Sequence, residues 1–155
     1  MSSTIREQSD LSFMQVALDA AAMGLAAGEV PVGAVLVIND DIVATAHNTS
    51  FVDSDPTAHA EVQVLRTSCA MRQSPRLDGA TLYVTIEPCI MCSGALLQAR
   101  ISRLVFGARE SRTGGVVSIS DTLMNPANTH HVAVTEGVMA AEAALLMQKF
   151  FSTRR

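Results

Sequence analysis

The sequence predicts a three-layer α/β/α domain, a sandwich with helices on both faces of a mixed sheet of about five strands. Three observations predict it. Strand-like apolar runs alternate with segments of helical period along the chain. The 155 residues, 48% hydrophobic and 17% charged, carry enough apolar surface for one core, so residues 1–155 read as a single domain. With no Trp, one Tyr and five Phe, that core must be filled by Ala, Val, Leu, Ile and Met, which suits helices packed closely on a sheet.

In residues 11–27, Phe13, Val16, Ala17, Ala20 and Met23 recur at helical spacing, and Gly28 stands where a helix stops. Residues 33–39 read as a buried strand. The polar step Asn39-Asp40-Asp41 leads to a second apolar run, 42–46, which is the pattern of a hairpin. Residues 49–56 read as a loop. Asp55-Pro56 then predicts a helix start, with Asp as cap and Pro as first helical residue, and Val62, Leu65 and Cys69 continue the period to about Arg72. Residues 73–79 break it, and 81–86 are strand-like.

Glu87-Pro88 ends that strand, because the residue before a proline is pushed out of the helical region. Residues 89–100 predict a third helix with 95–97 on or near its buried face, and 104–106 a short strand. Residues 108–130, containing Gly114, Gly115, Asn125 and Pro126, read as a long connection with room for one helical turn, a length more typical of functional loops than of simple links. A last strand at 132–135 and a last helix at 139–151 complete the chain. No repeat is evident, and the strand order does not follow from the pattern.

The net charge of -4 weighs against nucleic acid as a partner, since backbone binding relies on Lys and Arg displacing counterions. The average conceals an asymmetry. Residues 1–95 hold 4 basic and 11 acidic side chains, whereas residues 96–155 hold 7 basic and 4 acidic, which leaves room for a basic patch in the C-terminal part. Arg6, Glu7 and Asp10 precede any apolar stretch, so the N-terminus resembles neither a secretory signal nor a targeting peptide. No run approaches the ~18 apolar residues of a membrane span. Two cysteines form a Cys-x-x-Cys pair and Cys69 stands alone, a usage that fits a reducing cytoplasm better than a disulfide framework.

The strongest chemical signal is His59-Ala60-Glu61 followed by Pro88-Cys89-Ile90-Met91-Cys92. A neutral imidazole and two thiolates are ligands that zinc accepts, and three protein ligands leave a fourth position for water, as a catalytic site requires. Cys89 and Cys92, three apart at a predicted helix start, put both sulfurs on one side of the first turn. The unpaired N–H groups there favour thiolates. Glu61 is then the proton carrier between zinc-activated water, ring nitrogen and departing ammonia, and is not itself a ligand. Residues two apart point far from each other on an ideal helix. His59 and Glu61 therefore reach one ion only if the first turn is irregular or the two flank the pocket.

Taken singly these signals are weak. A lone Cys-x-x-Cys is more often a redox pair or half a structural zinc site, and His-x-Glu alone is nearly uninformative. Together, in this order and with Pro88 before Cys89, they form the signature of zinc nucleobase deaminases. Cys69 lies ten residues, ~15 Å of helix, from His59 and reads as a small buried hydrophobe. His130-His131 point apart and read as loop residues rather than a metal pair. Asn48 reads either as a turn residue or as an amide that contacts a base or ribose.

Residues 11–155 resemble the bacterial tRNA-specific adenosine deaminases, which convert a wobble adenosine to inosine. The resemblance is carried by Glu29-Val30-Pro31-Val32-Gly33-Ala34-Val35, Asp55-Pro56-Thr57-Ala58-His59-Ala60-Glu61, Ala80-Thr81-Leu82-Tyr83-Val84-Thr85 with Glu87-Pro88-Cys89, Val105-Phe106-Gly107-Ala108-Arg109 and Thr135-Glu136-Gly137. It implies a cytidine-deaminase-like fold, one zinc ion per subunit on His59, Cys89 and Cys92, and a cytoplasmic homodimer acting on a base flipped out of a tRNA anticodon stem-loop. Extrusion costs little where bases are already unpaired. By the same resemblance Asn48 contacts the base, with Ala60, Pro88 and Glu110 also on the substrate. Phe150, Phe151, Arg154 and Arg155 form an aromatic-basic end that meets the anticodon loop.

Two features depart from the family. Glu110 stands where an Asp is common, one methylene longer, and residues 49–55 lack the basic side chains often found there, while Lys149 is the sole lysine. Weak or strongly salt-dependent RNA binding is the expectation. Two competing functions remain open: deamination of a free base or nucleoside such as guanine or cytosine, and a non-catalytic RNA-binding or structural zinc protein in which Glu61 is idle.

Overall fold

The computed structural model describes residues 3–154. Four helices, α1 (Ser3–Ala26), α2 (Ala60–Arg72), α3 (Ile90–Ala99) and α4 (Ala140–Ser152), accompany five strands, β1 (Gly33–Ile38), β2 (Asp41–His47), β3 (Thr81–Ile86), β4 (Arg103–Ala108) and β5 (Ala133–Thr135). The strands form one sheet in the order β2-β1-β3-β4-β5. β1 runs antiparallel to β2 and β3, whereas β3, β4 and β5 are parallel, so the sheet is mixed. α1 and α4 touch each other and the sheet on one side, and α2, which carries α3 beside it, covers the other. The three-layer α/β/α architecture is the expected one.

Residue chemistry accounts for the central elements. Every residue of β1 is buried, as a strand with neighbours on both edges and helices on both faces requires. The β1–β2 hairpin turns on Asn39 and Asp40, both with positive φ (52° and 64°), the geometry that a tight type I′ turn demands and that Asn and Asp tolerate best. Gly33 is required where α1 crosses β1, because a side chain there would run into the Ala17 carbonyl.

Several elements differ from the sequence expectation. α1 starts eight residues earlier than residue 11, since Asp10 is not a solvated lead-in residue: it is buried and paired with Arg103 of β4. Of the expected stripe, Ala17 and Ala20 are buried and Phe13 and Val16 pack partly buried against the core, beside Met14, Leu18 and Ala21, whereas Met23 is 67% exposed. α2 begins at Ala60, not at Asp55-Pro56. Asp55 instead closes a turn, its Oδ1 accepting from Thr57 N and Thr57 Oγ1, and the buried positions are Val64, Leu65 and Ser68 rather than Val62 and Cys69. Between β4 and β5 the chain makes turns and one isolated bridge, with no helical turn.

The topology places the functional residues. The end of β2, the start of β1 and the end of β3 lie at one edge, as the pairs Gly33↔His47 and Ala34↔Val84 record. Chain leaving β2 leads to the N-terminus of α2, and chain leaving β3 leads directly to that of α3, beyond the carboxyl ends of these strands. Among the described residues no helix is long and apolar enough to cross a membrane.

Candidate metal centre

His59 and Cys89 are the residues immediately before α2 and α3. Both have extended backbones (φ -76°, ψ 153° and φ -73°, ψ 178°), and neither side chain caps its own helix. Their carbonyls already accept the first helical bonds, from Gln63 N at 3.0 Å and Ser93 N at 2.8 Å. Their side chains are therefore free to turn toward each other. This answers how His59 and Glu61 share one site: His59 lies outside the helix, so ideal helical angles do not separate it from Glu61 in the first turn.

His59 Nδ1 lies 3.7 Å from Cys89 Sγ and 3.5 Å from Cys92 Sγ, and the ligand atoms of all three residues fall within 4.8 Å of one another. Zinc bonds of ~2.0 Å to nitrogen and ~2.3 Å to sulfur at tetrahedral angles put N and S ~3.5 Å apart, so these residues fit the ion with little movement. No fourth His, Cys or carboxylate joins the group among the described residues. Hydrogen bonding from Cys92 and from His59 pulls the Cys89 thiol down to about 4 against the cost of burial. Cys92, the donor in that pair and itself buried, is pushed up. A metal cation displaces such thiol protons outright.

A cavity of about 180 Å³ opens beside the cluster, lined among others by Asn48, His59, Glu61, Cys89, Glu110 and Thr113. Glu61 is only 4% exposed, and burial pushes its carboxyl up to about 7, the range in which a group both takes and gives protons near neutrality. A dication at the cluster draws it down again. Asn48 Oδ1 accepts the Ala60 N–H at 2.8 Å and so supplies the cap that His59 does not, while its amide nitrogen makes no hydrogen bond among the described residues.

Sequence reasoning did not single out Glu87. It is 3% exposed and lines the same cavity. Its Oε1 accepts from Glu110 N at 3.0 Å and from Ser118 Oγ; its Oε2 accepts from Val116, Val117 and Ser118 N at 3.1, 2.8 and 3.0 Å. Burial alone would raise its pKa, but these donors outweigh it and hold the carboxyl below the usual range. The signal was present in the sequence as an acidic residue between an apolar strand and a proline, followed by a Gly-Gly step in the next loop. Glu29, also buried, holds residues 51 and 52 in the same manner, with Phe51 N and Val52 N donating at 3.0 and 2.9 Å.

The other candidate residues divide. Ala60 and Pro88 are buried beside the cluster, Pro88 O accepting from Gly115 N at 2.8 Å, and Glu110 is at the cavity wall. Phe150 is buried and Phe151 is 50% exposed, the two rings edge to face at 5.3 Å. Arg154 folds back, donating to Gly28 O at 2.7 Å and lying over the rings of Phe150 and Phe51 at 4.3 and 5.3 Å. Arg155 lies outside the described residues. Cys69 stands apart from the cluster, partly buried against the core. His130 contacts the Ile101 carbonyl at 2.7 Å as a loop residue.

Comparison with known proteins gives concordant results. The family model of the cytidine and deoxycytidylate deaminase zinc-binding region matches residues 7–108. The tRNA-specific adenosine deaminase of Haemophilus influenzae is 46% identical over 158 residues, covering 97% of this chain and 88% of its own. A solved structure from studies of A-to-I editing by tRNA:A34 deaminases at the wobble position of transfer RNA superposes with a TM-score of 0.84 at 40% identity, covering 87% of this chain and 98% of that one. A guanine deaminase from Nitrosomonas europaea, at 22% identity and a TM-score of 0.79 over 92% of this chain and 84% of its own, shares the fold.

Proposed function

The chain belongs to the tRNA-specific adenosine deaminases, built on the cytidine and deoxycytidylate deaminase zinc-binding region, and from that membership we propose that it hydrolyses the wobble adenosine of tRNA anticodon loops to inosine. The observation that carries the reading is the His59–Cys89–Cys92 cluster with Glu61 buried beside it on one cavity wall.

His59, Cys89 and Cys92 would hold one zinc ion per subunit, and the chemistry it would supply is the lowering of the pKa of a water molecule so that it can attack at neutral pH. Glu61 carries one proton of the attacking water to the ring nitrogen next to the reacting carbon, then carries the second, from the hydroxyl left on that carbon, to the departing amine, so that adenosine and water give inosine and ammonia. Asn48 is fixed at its oxygen by the Ala60 N–H, so its amide nitrogen is pre-oriented to donate to the base. Ala60 and Pro88 flank the ligands and pack against the base, and Glu110 faces the nucleotide sugar. Phe151 offers a stacking face to an unpaired base of the anticodon stem-loop, with Arg154 lying over the neighbouring Phe150 ring.

The protein acts as a cytoplasmic homodimer. Support for self-association is an open groove of about 530 Å³ between α2 and α3, lined by apolar side chains that include Val62, Leu65 and Ala95.

Zinc-loaded protein offered an anticodon stem-loop with wobble adenosine, and in parallel free adenine, guanine and cytosine, should release ammonia and form inosine only in the stem-loop. Glu61→Ala should abolish this. Turnover of a free base alone would transfer the protein to the small-molecule deaminases that share its fold.

A further inference from the structure

The carboxylate of Glu87 is fully occupied. Five donors converge on its two oxygens, and three of them are the successive backbone N–H groups of Val116, Val117 and Ser118, an anion-binding nest filled from within the chain. The loop after β4 wraps tightly around it. Glu87 N donates to Ala108 O at 2.8 Å, and Gly114 bridges Cys89. A side chain at Gly114 would collide with the Glu87 carboxylate, and a Cβ at Gly115 would come within 2.8 Å of Ile90 N. The two glycines are there because the loop closes directly on Glu87 and on the peptide after Cys89.

We propose that Glu87 is a positioning residue for substrate binding: by holding the Glu110 backbone N–H it sets where the Glu110 side chain stands on the cavity wall. This rests on the reading of that cavity as the nucleotide site. Glu87 has no free lone pair for substrate, so its effect is exerted through the loop.

The division of donors between its oxygens makes the role separable from general folding. In Glu87→Gln the amide oxygen serves the three-donor nest and the NH2 group faces Ser118 Oγ and Glu110 N. The Ser118 hydroxyl can rotate to accept, but the Glu110 N–H cannot. One attraction, to Glu110 alone, becomes a donor–donor repulsion, while the nest stays filled.

The test combines amide hydrogen exchange with a double-mutant cycle on the zinc-loaded full chain. In Glu87→Gln, exchange at Glu110 should accelerate about tenfold, the scale of one lost charge-assisted bond, with Val116, Val117 and Ser118 still protected. In Glu87→Ala all four should lose protection. For stem-loop deamination, Glu87→Gln should raise KM about fivefold to tenfold at nearly constant kcat and zinc content, and should add little in a Glu110→Ala background. Unchanged exchange at Glu110, effects that multiply independently in the cycle, or a fall in kcat with loss of zinc would each overturn the proposal. Wild-type inactivity on the stem-loop would instead sink the functional reading, and the exchange pattern would still decide whether Glu87 positions Glu110.

Discussion

Arg103 of β4 clasps Asp10 of α1 with both ends of its guanidinium, Nη1 to Oδ1 at 2.8 Å and Nη2 to Oδ2 at 2.7 Å, across 93 residues of sequence. Tyr83 Oη donates to the same Oδ1 at 2.8 Å, so the carboxylate joins α1 to β3 and β4, and Arg103 Nη2, by also donating to Thr135 Oγ1 at 2.9 Å, extends the network to β5. Burial would raise the Asp10 pKa, but Arg103 and Tyr83 outweigh it and hold the group below its ordinary value. A carboxyl depressed in the folded state contributes its stabilisation above its unfolded pKa of ~3.9, and that contribution disappears as pH falls through the lower folded value. Asp10→Asn should therefore be less stable than wild type at pH 7 in urea unfolding, and the gap should close below about pH 4. Arg103→Ala, which leaves a buried charge unpaired, should cost about 3 kcal/mol at neutral pH. A gap that is independent of pH would mean that the pair contributes packing and not charge.

Because His59 and Cys89 are the residues at which α2 and α3 begin and Cys92 lies in the first turn of α3, an ion held by the cluster would staple the two helices together. Chelation should lower the thermal midpoint and zinc should restore it, by about 2.7 kcal/mol of stabilisation at free zinc a hundredfold above its dissociation constant. Cys92→Ser should behave as the chelated protein, and Glu61→Ala should keep both metal and midpoint. A midpoint indifferent to chelation in wild type would exclude this cluster as a metal centre.

Asn48 serves two ends of its amide differently, and substitution can separate them. Asn48→Ala removes the acceptor of the buried Ala60 N–H and should destabilise the protein by about 1 to 2 kcal/mol, the cost of a lost helix cap. Asn48→Asp retains that acceptor and should keep most of the stability while losing the donor to the base. The expected result is near-normal unfolding with deamination reduced at least as strongly as in Asn48→Ala. Recovery of activity in the Asp variant would reduce Asn48 to a capping role.

β1, β2 and β3 were legible because each is a short apolar run with Gly, Asn, Asp or Pro at or near its ends, and 81–86 matches β3 in full. The convergence of His59, Cys89 and Cys92 was legible because zinc chemistry constrains residue type and spacing together. What escaped was set by tertiary contacts. Residues 3–10 read as polar, yet a buried ion pair 93 residues distant draws them into α1. Asp55-Pro56 is a sound local helix start, but the chain delays helix until Ala60 so that His59 can stay extended and face the cysteines. Glu87 looked like punctuation before a proline because its partners, residues 110 and 116–118, lie in a loop with no periodicity to read.

The C-terminal aromatic pair makes the final discrimination, since Phe150 is 4% and Phe151 50% exposed on adjacent positions. Phe150→Ala empties a core site and removes the ring beneath Arg154, so it should cost about 3 kcal/mol of stability. Phe151→Ala should leave unfolding unchanged and weaken stem-loop affinity by about 1 to 3 kcal/mol if its ring stacks on an unpaired base. Arg154 already satisfies Gly28 O and two ring faces, which limits how far it can swing toward a phosphate. Arg154→Ala should thus reduce the slope of log affinity against log salt by about one if the guanidinium also neutralises a phosphate. An unchanged slope with a lowered midpoint would make it a fastener between α4 and the loops holding Gly28 and Phe51, leaving Phe151 as the RNA contact of that end.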